Sequence, residues 1–183
     1  TICSAPYYSG KTPIKSILQS IQRLGPTGFH CITMQAYLDL DLFIIEGPWK
    51  DTLLQIRNFS ISVAHISRII SRMTNLHGDT AFLCGLLHRI GIASSIIHFP
   101  PPTEDPVLVT KLWSAVELIH PILSNLIAKR WGMDEDVQKA LHHYGQLYAN
   151  GKTNHLTAIL IIAEHLTQQL GFSIQTPFRR KPN

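Results

Sequence analysis

The sequence is poor in charged residues and in cysteine. Asp, Glu, Lys and Arg make up 15% of the 183 residues, whereas 45% are hydrophobic. This composition is typical of a globular chain with a sizeable core and argues against intrinsic disorder. The three cysteines are an odd number at wide spacing, which fits neither a secreted disulfide framework nor a zinc motif. A reducing compartment suits them best, so we expect a cytoplasmic protein.

Long apolar runs and a concentrated positive charge are also lacking. No stretch reaches the ~20 uninterrupted apolar residues of a membrane span, and residues 1–10 lack the apolar run of a signal peptide. The formal net charge is +4, but Arg179, Arg180 and Lys181 near the C-terminus supply three of these charges. The sequence therefore predicts no membrane partner and gives little reason to expect a nucleic acid.

Apolar residues recur at helical spacing along almost the whole chain, and strand-like alternation is scarce. Residues 80–97 are apolar nearly all round, so we expect one central helix, with Phe82, Leu86, Leu87 and Ile90 among the most buried residues. The predicted helices span residues 13–24, 27–46, 49–73, 80–97, 107–119, 121–131, 134–144 and 154–170. The expected fold class is all-α, a bundle of about eight helices around a buried central helix, with no substantial sheet.

Glycine, proline and aspartate positions indicate where these helices end and how they pack. Gly25 can end the first helix in a left-handed conformation, and Pro121 can open a new helix. Asp134 is expected to cap the helix that follows it. Gly85 and Gly91, inside the central segment, are expected to permit close helix packing.

Ten histidines are the most conspicuous polar residues. Six lie at helix ends, in loops or on helix flanks, where we expect solvated or hydrogen-bonded side chains. The other four, His88, His120, His142 and His143, lie on or next to apolar stripes, where a buried imidazole needs a hydrogen-bond partner or a metal ion. Cys84 precedes His88 by one helical turn, yet a buried cysteine behaves far more often as a small hydrophobic residue than as a nucleophile.

Five segments resemble motifs of one family. Residues 81–91, with the sequence AFLCGLLHRIG, resemble the AFLAGLLHDIG helix that gives the HD superfamily its name. Other segments resemble HDOD (HD-related output domain) motifs: an NSA turn with its following helix, a stretch ending in W-G-L-P, an A-I-x-x-H-H motif and a LAD-x-L helix. In this chain they are residues 4–8 with 14–25, His120 with 128–133, 140–143 and 161–166. The resemblance implies a helical regulatory domain of bacterial signalling proteins.

The resemblance also implies where a metal site would lie. Catalytic HD hydrolases build it from a first His, the His-Asp pair, further His residues and a final Asp. Carried over position by position, these fall on Phe59, His88, Arg89, His120, His143 (or its neighbour His142) and Glu164. If an ion were held, the ligands expected from this mapping would be His88, His120 and His143.

Two of these positions are incompatible with metal chemistry. Phe59 offers no lone pair, and Arg89 carries a permanent positive charge that repels cations. We therefore expect a vestigial site with no catalytic residue, no bound metal and no cofactor. A buried guanidinium needs an acceptor, so we expect Arg89 to pair with Glu164, with Phe59 closing the other side.

A regulatory interaction domain is the function that the resemblance favours. Such a domain would bind other signalling proteins or domains, and a homo-oligomer is a further option. The alternative is a metal-dependent phosphohydrolase that acts on a nucleotide or another phosphate ester through His88, His120, His143 and Glu164. Retention of a metal ion would discriminate between the two functions.

The chain is expected to form one domain over residues 1–175, followed by a basic tail at 176–183. The resemblance implies that the helices preceding the NSA turn in the family are either absent from this chain or disordered. The first helix would then have fewer neighbours, so we expect Ile14, Ile17 and Ile21 to be partly exposed or covered by another chain.

Overall fold

Almost all of the described chain is helical. The computed structural model describes residues 17–37, 47, 49–99, 106–149 and 152–174. Its elements are α1 (Ile17–Tyr37), α2 (Lys50–Ser71), α3 (Gly78–Leu87), α4 (Ile90–Ile96), α5 (Pro106–Arg130), α6 (Glu135–His142), β1 (Tyr148–Ala149), β2 (Lys152–Thr153) and α7 (His155–Gln169). Within these ranges, sheet structure is limited to the antiparallel pair of β1 and β2. The all-α prediction is confirmed, with seven helices described where the sequence predicts about eight.

Helix α1 is bent in its middle. Gly25 has a φ of 67° and is followed by Pro26, so the helix is interrupted there and then resumes. Gly25 thus interrupts the helix with a positive φ, but its ψ of 173° differs from that of the predicted left-handed helical cap. Other predicted features lie outside the described residues, namely the turn at 4–8, Ile14, the segment 38–46, and the tail at 176–183. Of the predicted exposed stripe, the side chain of Ile21 is described and is 36% exposed.

The central segment is divided into two helices, which corrects the prediction of one continuous helix over residues 80–97. At the break, the hydroxyl of Ser124 on α5 accepts a hydrogen bond from the amide of Gly91 (3.0 Å) and donates to the carbonyl of His88 (3.2 Å). Both backbone groups would otherwise bond along the helix, so this side chain interrupts the ladder. The break leaves Arg89 in a non-helical conformation between α3 and α4.

The core forms where α3 packs against α2, α6 and α7. The four residues predicted to be most buried are confirmed, each 2% exposed or less: Phe82, Leu86, Leu87 and Ile90. Gly85 permits the close approach of α3 to α2, because a Cβ built on it would lie 2.5 Å from the Cα of Ala64. Gly91 likewise permits a close approach to α5, since its Cβ would lie 2.3 Å from the carbonyl oxygen of His120. The packing role predicted for both glycines is confirmed.

Helix α5 runs unbroken through Pro121, so the prediction of separate helices at 107–119 and 121–131 is wrong. The proline removes one backbone donor from the helix. Side chains on both sides of it, among them Val116, His120 and Ser124, are buried against the rest of the fold. This packing outweighs the lost hydrogen bond and keeps the helix continuous.

The outer face of α5 is apolar. Leu118, Ile122 and Leu126 are 79%, 52% and 55% exposed. Among the described helices, Val107–Arg130 alone is long and apolar enough to cross a membrane by length and composition. This indication is weak, because the core helix of a soluble protein meets the same criterion.

The segments before and after α6 determine the positions of α6 and α7 in the fold. Asp134 stands at the N-cap position of α6, although its side chain makes no capping hydrogen bond. Helix α6 ends at His142, so Tyr144, which was predicted to be its last residue, lies in the following turn. The hairpin then leads to Asn154, whose Oδ1 accepts from the amide of Thr157 and caps α7. These elements bring Tyr144 and α7 to the same side of the α3–α4 break.

We expect Gly85→Ala to destabilise the fold strongly. The new methyl group would collide with the backbone of Ala64, which can move only with the whole of α2. Overpacking of this kind costs about 1–3 kcal/mol or more. The control is Gly145→Ala, where a Cβ meets no atom within 4 Å but the φ of 80° imposes a strain of about 1 kcal/mol. Urea unfolding measures both, and an equal loss in the two variants would contradict the packing role of Gly85.

Candidate functional site

The carboxylate of Glu164 on α7 contacts the polar side chains around the α3–α4 break. Oε1 of Glu164 accepts hydrogen bonds from Nε (3.0 Å) and Nη2 (2.9 Å) of Arg89. The same oxygen lies 3.0 Å from Nε2 of His88. Oε2 accepts a hydrogen bond from the hydroxyl of Tyr144, which also accepts from Nη2 of Arg89 at 3.4 Å. Both oxygens of Glu164 are thus occupied by protein donors.

The imidazole of His88 is fully buried and held at both ends. Its Nδ1 lies 2.6 Å from the carbonyl oxygen of Gly85, which can only accept a hydrogen bond. Its Nε2 faces the carboxylate of Glu164. Because a protein oxygen engages each of the two nitrogens, neither is open to a metal ion.

Burial and charge act in opposite directions on the central pair. Burial alone would raise the pKa of Glu164, but the hydrogen bond and charge of His88, the charge of Arg89 and the bond from Tyr144 hold it well below its usual range. Burial alone would lower the pKa of Arg89, but Tyr144, Glu164 and the charge of Glu117 raise it. Burial raises the pKa of Tyr144, so its phenol stays protonated and can donate. The pair is therefore ionised, with a neutral phenol beside it.

His120 and Phe59 complete the walls around these charges. The ring of His120 is 4% exposed and stands edge-on to Tyr144, with 5.1 Å between the ring centroids. Its Nδ1 is buried without a hydrogen-bond partner. Burial and the nearby charges of Arg89 and His88 lower the pKa of His120 to about 4. Phe59 is 2% exposed, and the Cζ of Arg89 lies 5.3 Å from its ring centroid.

The structure brings together five of the six residues mapped from the sequence, namely Phe59, His88, Arg89, His120 and Glu164. The contact predicted between Arg89 and Glu164, with Phe59 on the other side, is confirmed. His143 is not part of the cluster, because its Nδ1 lies 3.3 Å from Oε1 of Gln146 on the outside of the turn. The sixth position belongs instead to Tyr144, which the sequence interpretation missed. Its aromatic body and terminal hydroxyl, directly after two histidines at a helix end, are the signal that could have indicated it.

These residues do not fit a divalent metal ion. In the part of the chain that the structure describes, no three His, Cys, Asp or Glu side chains are grouped so that they could hold one. Both oxygens of Glu164 accept hydrogen bonds from protein donors, and the permanent positive charge of Arg89 beside them repels cations. The arrangement can instead stabilise a fixed relation between α3, α4 and α7.

We expect Glu164→Gln to cost about 3–5 kcal/mol, because it leaves the buried guanidinium of Arg89 without a counter-charge. Glu135→Gln is the matched control, since that carboxylate forms an exposed pair with Lys139 and should contribute little. Chemical denaturation at neutral pH compares the two. Similar losses for both variants would mean that the buried pair has no special importance.

We also expect the free energy of unfolding to fall as the pH drops from about 6.5 towards 4. The folded protein holds the pKa of His120 at about 4, so the unfolded chain binds the proton first and is favoured by acid. The contribution of His120 to this fall is about 3 kcal/mol. Glu164 adds a further loss of stability below a pH of about 4.3, where carboxylates of the unfolded chain become protonated. His120→Phe keeps a ring beside Tyr144 and should flatten the profile above pH 4.5. An unchanged slope in this variant would show that another group is responsible.

Comparison with known proteins identifies the family of the chain and a solved structure with a similar fold. The family model of the HDOD domain matches residues 2–147, a range that ends before α7. A crystal structure of an HDOD domain protein of unknown function from Geobacter sulfurreducens superposes with a TM-score of 0.65 at 22% sequence identity. The match covers 100% of this chain and 63% of that one, so the chain spans less than two thirds of that relative. No curated protein matches the chain. With the family model covering more than half of its residues, this all-helical chain belongs to the HDOD family.

Proposed function

We propose that this HDOD domain is a non-catalytic regulatory module of a bacterial signalling system, which acts in the cytoplasm by binding other signalling proteins or domains. The observation that carries the proposal is the pairing of Arg89 with Glu164. By the HD resemblance, Arg89 occupies the position of the aspartate in the metal-binding His-Asp pair. Glu164 occupies the position of the final metal-binding aspartate. Two opposite charges that satisfy each other form a structural element rather than a metal centre.

The chemistry of the remaining groups supports the same conclusion. A hydrolase of the HD type needs a metal ion to lower the pKa of a water molecule and to hold a phosphate. His88 has both nitrogens engaged, and Phe59 provides no ligand at all. Cys84 is fully buried, and burial raises the pKa of its thiol far above the usual range, so it is no nucleophile. Among the described residues, none is poised to attack a phosphate ester.

A binding role is supported by the surface. The outer face of α5 exposes Leu118, Ile122 and Leu126, and exposed apolar clusters of this kind commonly serve protein contacts. A homo-oligomer would also bury such a face. A nucleic-acid partner is not favoured, since three of the four net positive charges lie at positions 179–181.

A metal-dependent phosphohydrolase is the second candidate. One observation favours it: His88 and Glu164, two of the ligands that it would use, are in contact. The position of Arg89 within the same region argues against it.

We expect the purified protein to contain no stoichiometric iron, manganese, zinc or nickel by elemental analysis. We also expect no turnover of nucleotide monoesters, cyclic dinucleotides or an aryl phosphate with added manganese. Arg89→Asp alone should not confer hydrolysis, because Phe59 leaves the first ligand position without a donor. One tightly bound metal per chain, or turnover that is lost on His88→Ala, would move the phosphohydrolase to first place.

The proposed binding of other signalling proteins is tested by capture and calorimetry. Proteins captured from a bacterial lysate count only if the purified pair also binds in calorimetry. Light scattering of the domain alone separates self-association from binding to a different protein. A domain that stays monomeric and binds none of the captured candidates would contradict an interaction role.

A further inference from the structure

A cavity of about 400 Å³ lies beside the Arg89–Glu164 pair and opens to solvent. Its lining includes the largely buried side chains of Phe59, Trp113 and Arg89, together with Ser173 and Ile174. Its rim carries the exposed side chains of Glu117 and Gln168. The volume falls at the lower end of the range for small-molecule sites, which suits one or two fused rings rather than a larger ligand.

Two hydrogen-bonding groups at this cavity have capacity left. Arg89 uses Nε and Nη2 for Glu164 and Tyr144, and Nη1 takes part in none of these bonds. The indole Nε1 of Trp113 donates to Oε1 of Glu117 at 3.0 Å, which fixes that carboxylate at the rim and leaves Oε2 unused by this bond. The lining of the cavity thus includes one positively charged donor residue and one negatively charged acceptor residue.

The walls select a flat ligand, and the charges select an uncharged one. Phe59 and Trp113 provide aromatic surface on which a planar ring can stack. The charged residues that line the cavity are Arg89 and Glu117, one of each sign. A phosphate or carboxylate would be attracted by the first and repelled by the second, whereas a neutral ring that both accepts and donates can bond to both.

We propose that this cavity is a binding site for a neutral, planar heteroaromatic molecule that carries a hydrogen-bond acceptor for Arg89 and a donor for Glu117. Lactam-bearing bicyclic rings have this chemistry. Gln168 adds an amide that can both donate and accept at the rim. The site goes beyond the protein-binding role of the domain and does not depend on it.

The probe is hypoxanthine, a neutral bicyclic lactam, titrated into the full chain and followed by the indole N–H signal of Trp113 in NMR spectra. Trp113→Phe assigns that signal among the three tryptophans. We expect a saturable shift with a dissociation constant below roughly 1 mM, as befits a ligand of this size. Indole, which has a similar shape but no acceptor, should bind at least about tenfold more weakly, and phenyl phosphate should not bind.

Two variants and two matched controls locate the site. Glu117→Gln and Gln168→Ala should each weaken hypoxanthine binding, the first by roughly tenfold because it removes a charged acceptor. Glu135→Gln on α6 and Gln169→Ala, next to Gln168 but not at the cavity, should leave it unchanged. Thermal melting confirms that all four variants remain folded.

Several results would overturn the proposal. No saturable shift up to the solubility limit of hypoxanthine would remove the site. Equal affinity for indole would reduce it to apolar stacking, and a preference for phenyl phosphate would contradict the charge argument. Unchanged affinity in folded Glu117→Gln would place the ligand elsewhere.

Discussion

The buried guanidinium of Arg89 imposes the strictest requirement on this structure. A cation in the interior must be neutralised at hydrogen-bond distance, or it costs several kcal/mol. Glu164 meets that requirement from α7, and His88 and Tyr144 occupy the remaining capacity of its carboxylate. Four side chains from three parts of the chain therefore depend on one another. Helix α7 cannot shift relative to the α3–α4 break without exposing an unpaired charge.

The same pair links the fold to its proposed roles. A metal-binding site needs oxygen or nitrogen lone pairs directed at an empty centre, whereas here the donors and acceptors are directed at each other. At the edge of the cluster, Arg89 and Glu117 line a cavity. The two proposals are therefore compatible, because a cluster whose groups bond to each other lies beside a cavity that a small ligand could enter.

The local sequence pattern was sufficient to predict the fold class and most residues of the cluster around Arg89 and Glu164. Helical periodicity predicted the core residues, and motif order placed Arg89 opposite Glu164. The errors have a common cause, since each depends on contacts distant in sequence. Ser124 breaks the central helix from 33 residues away from Gly91, and packing around Pro121 preserves a helix that local rules would end. Tyr144 replaced His143 because the end of α6 decides which side chain turns inward, and periodicity locates helix ends only to within a few residues.

The hydroxyl of Ser124 has a consequence for how the molecule opens. It bonds the amide of Gly91 and the carbonyl of His88 at once, so the start of α4 is closed by a group that belongs to α5. Separation of α5 would leave both backbone groups unsatisfied and would free the loop that carries Arg89. Local fluctuations of these segments are thus coupled, and α4, α5 and the buried ion pair should exchange their amide hydrogens as one cooperative unit rather than helix by helix.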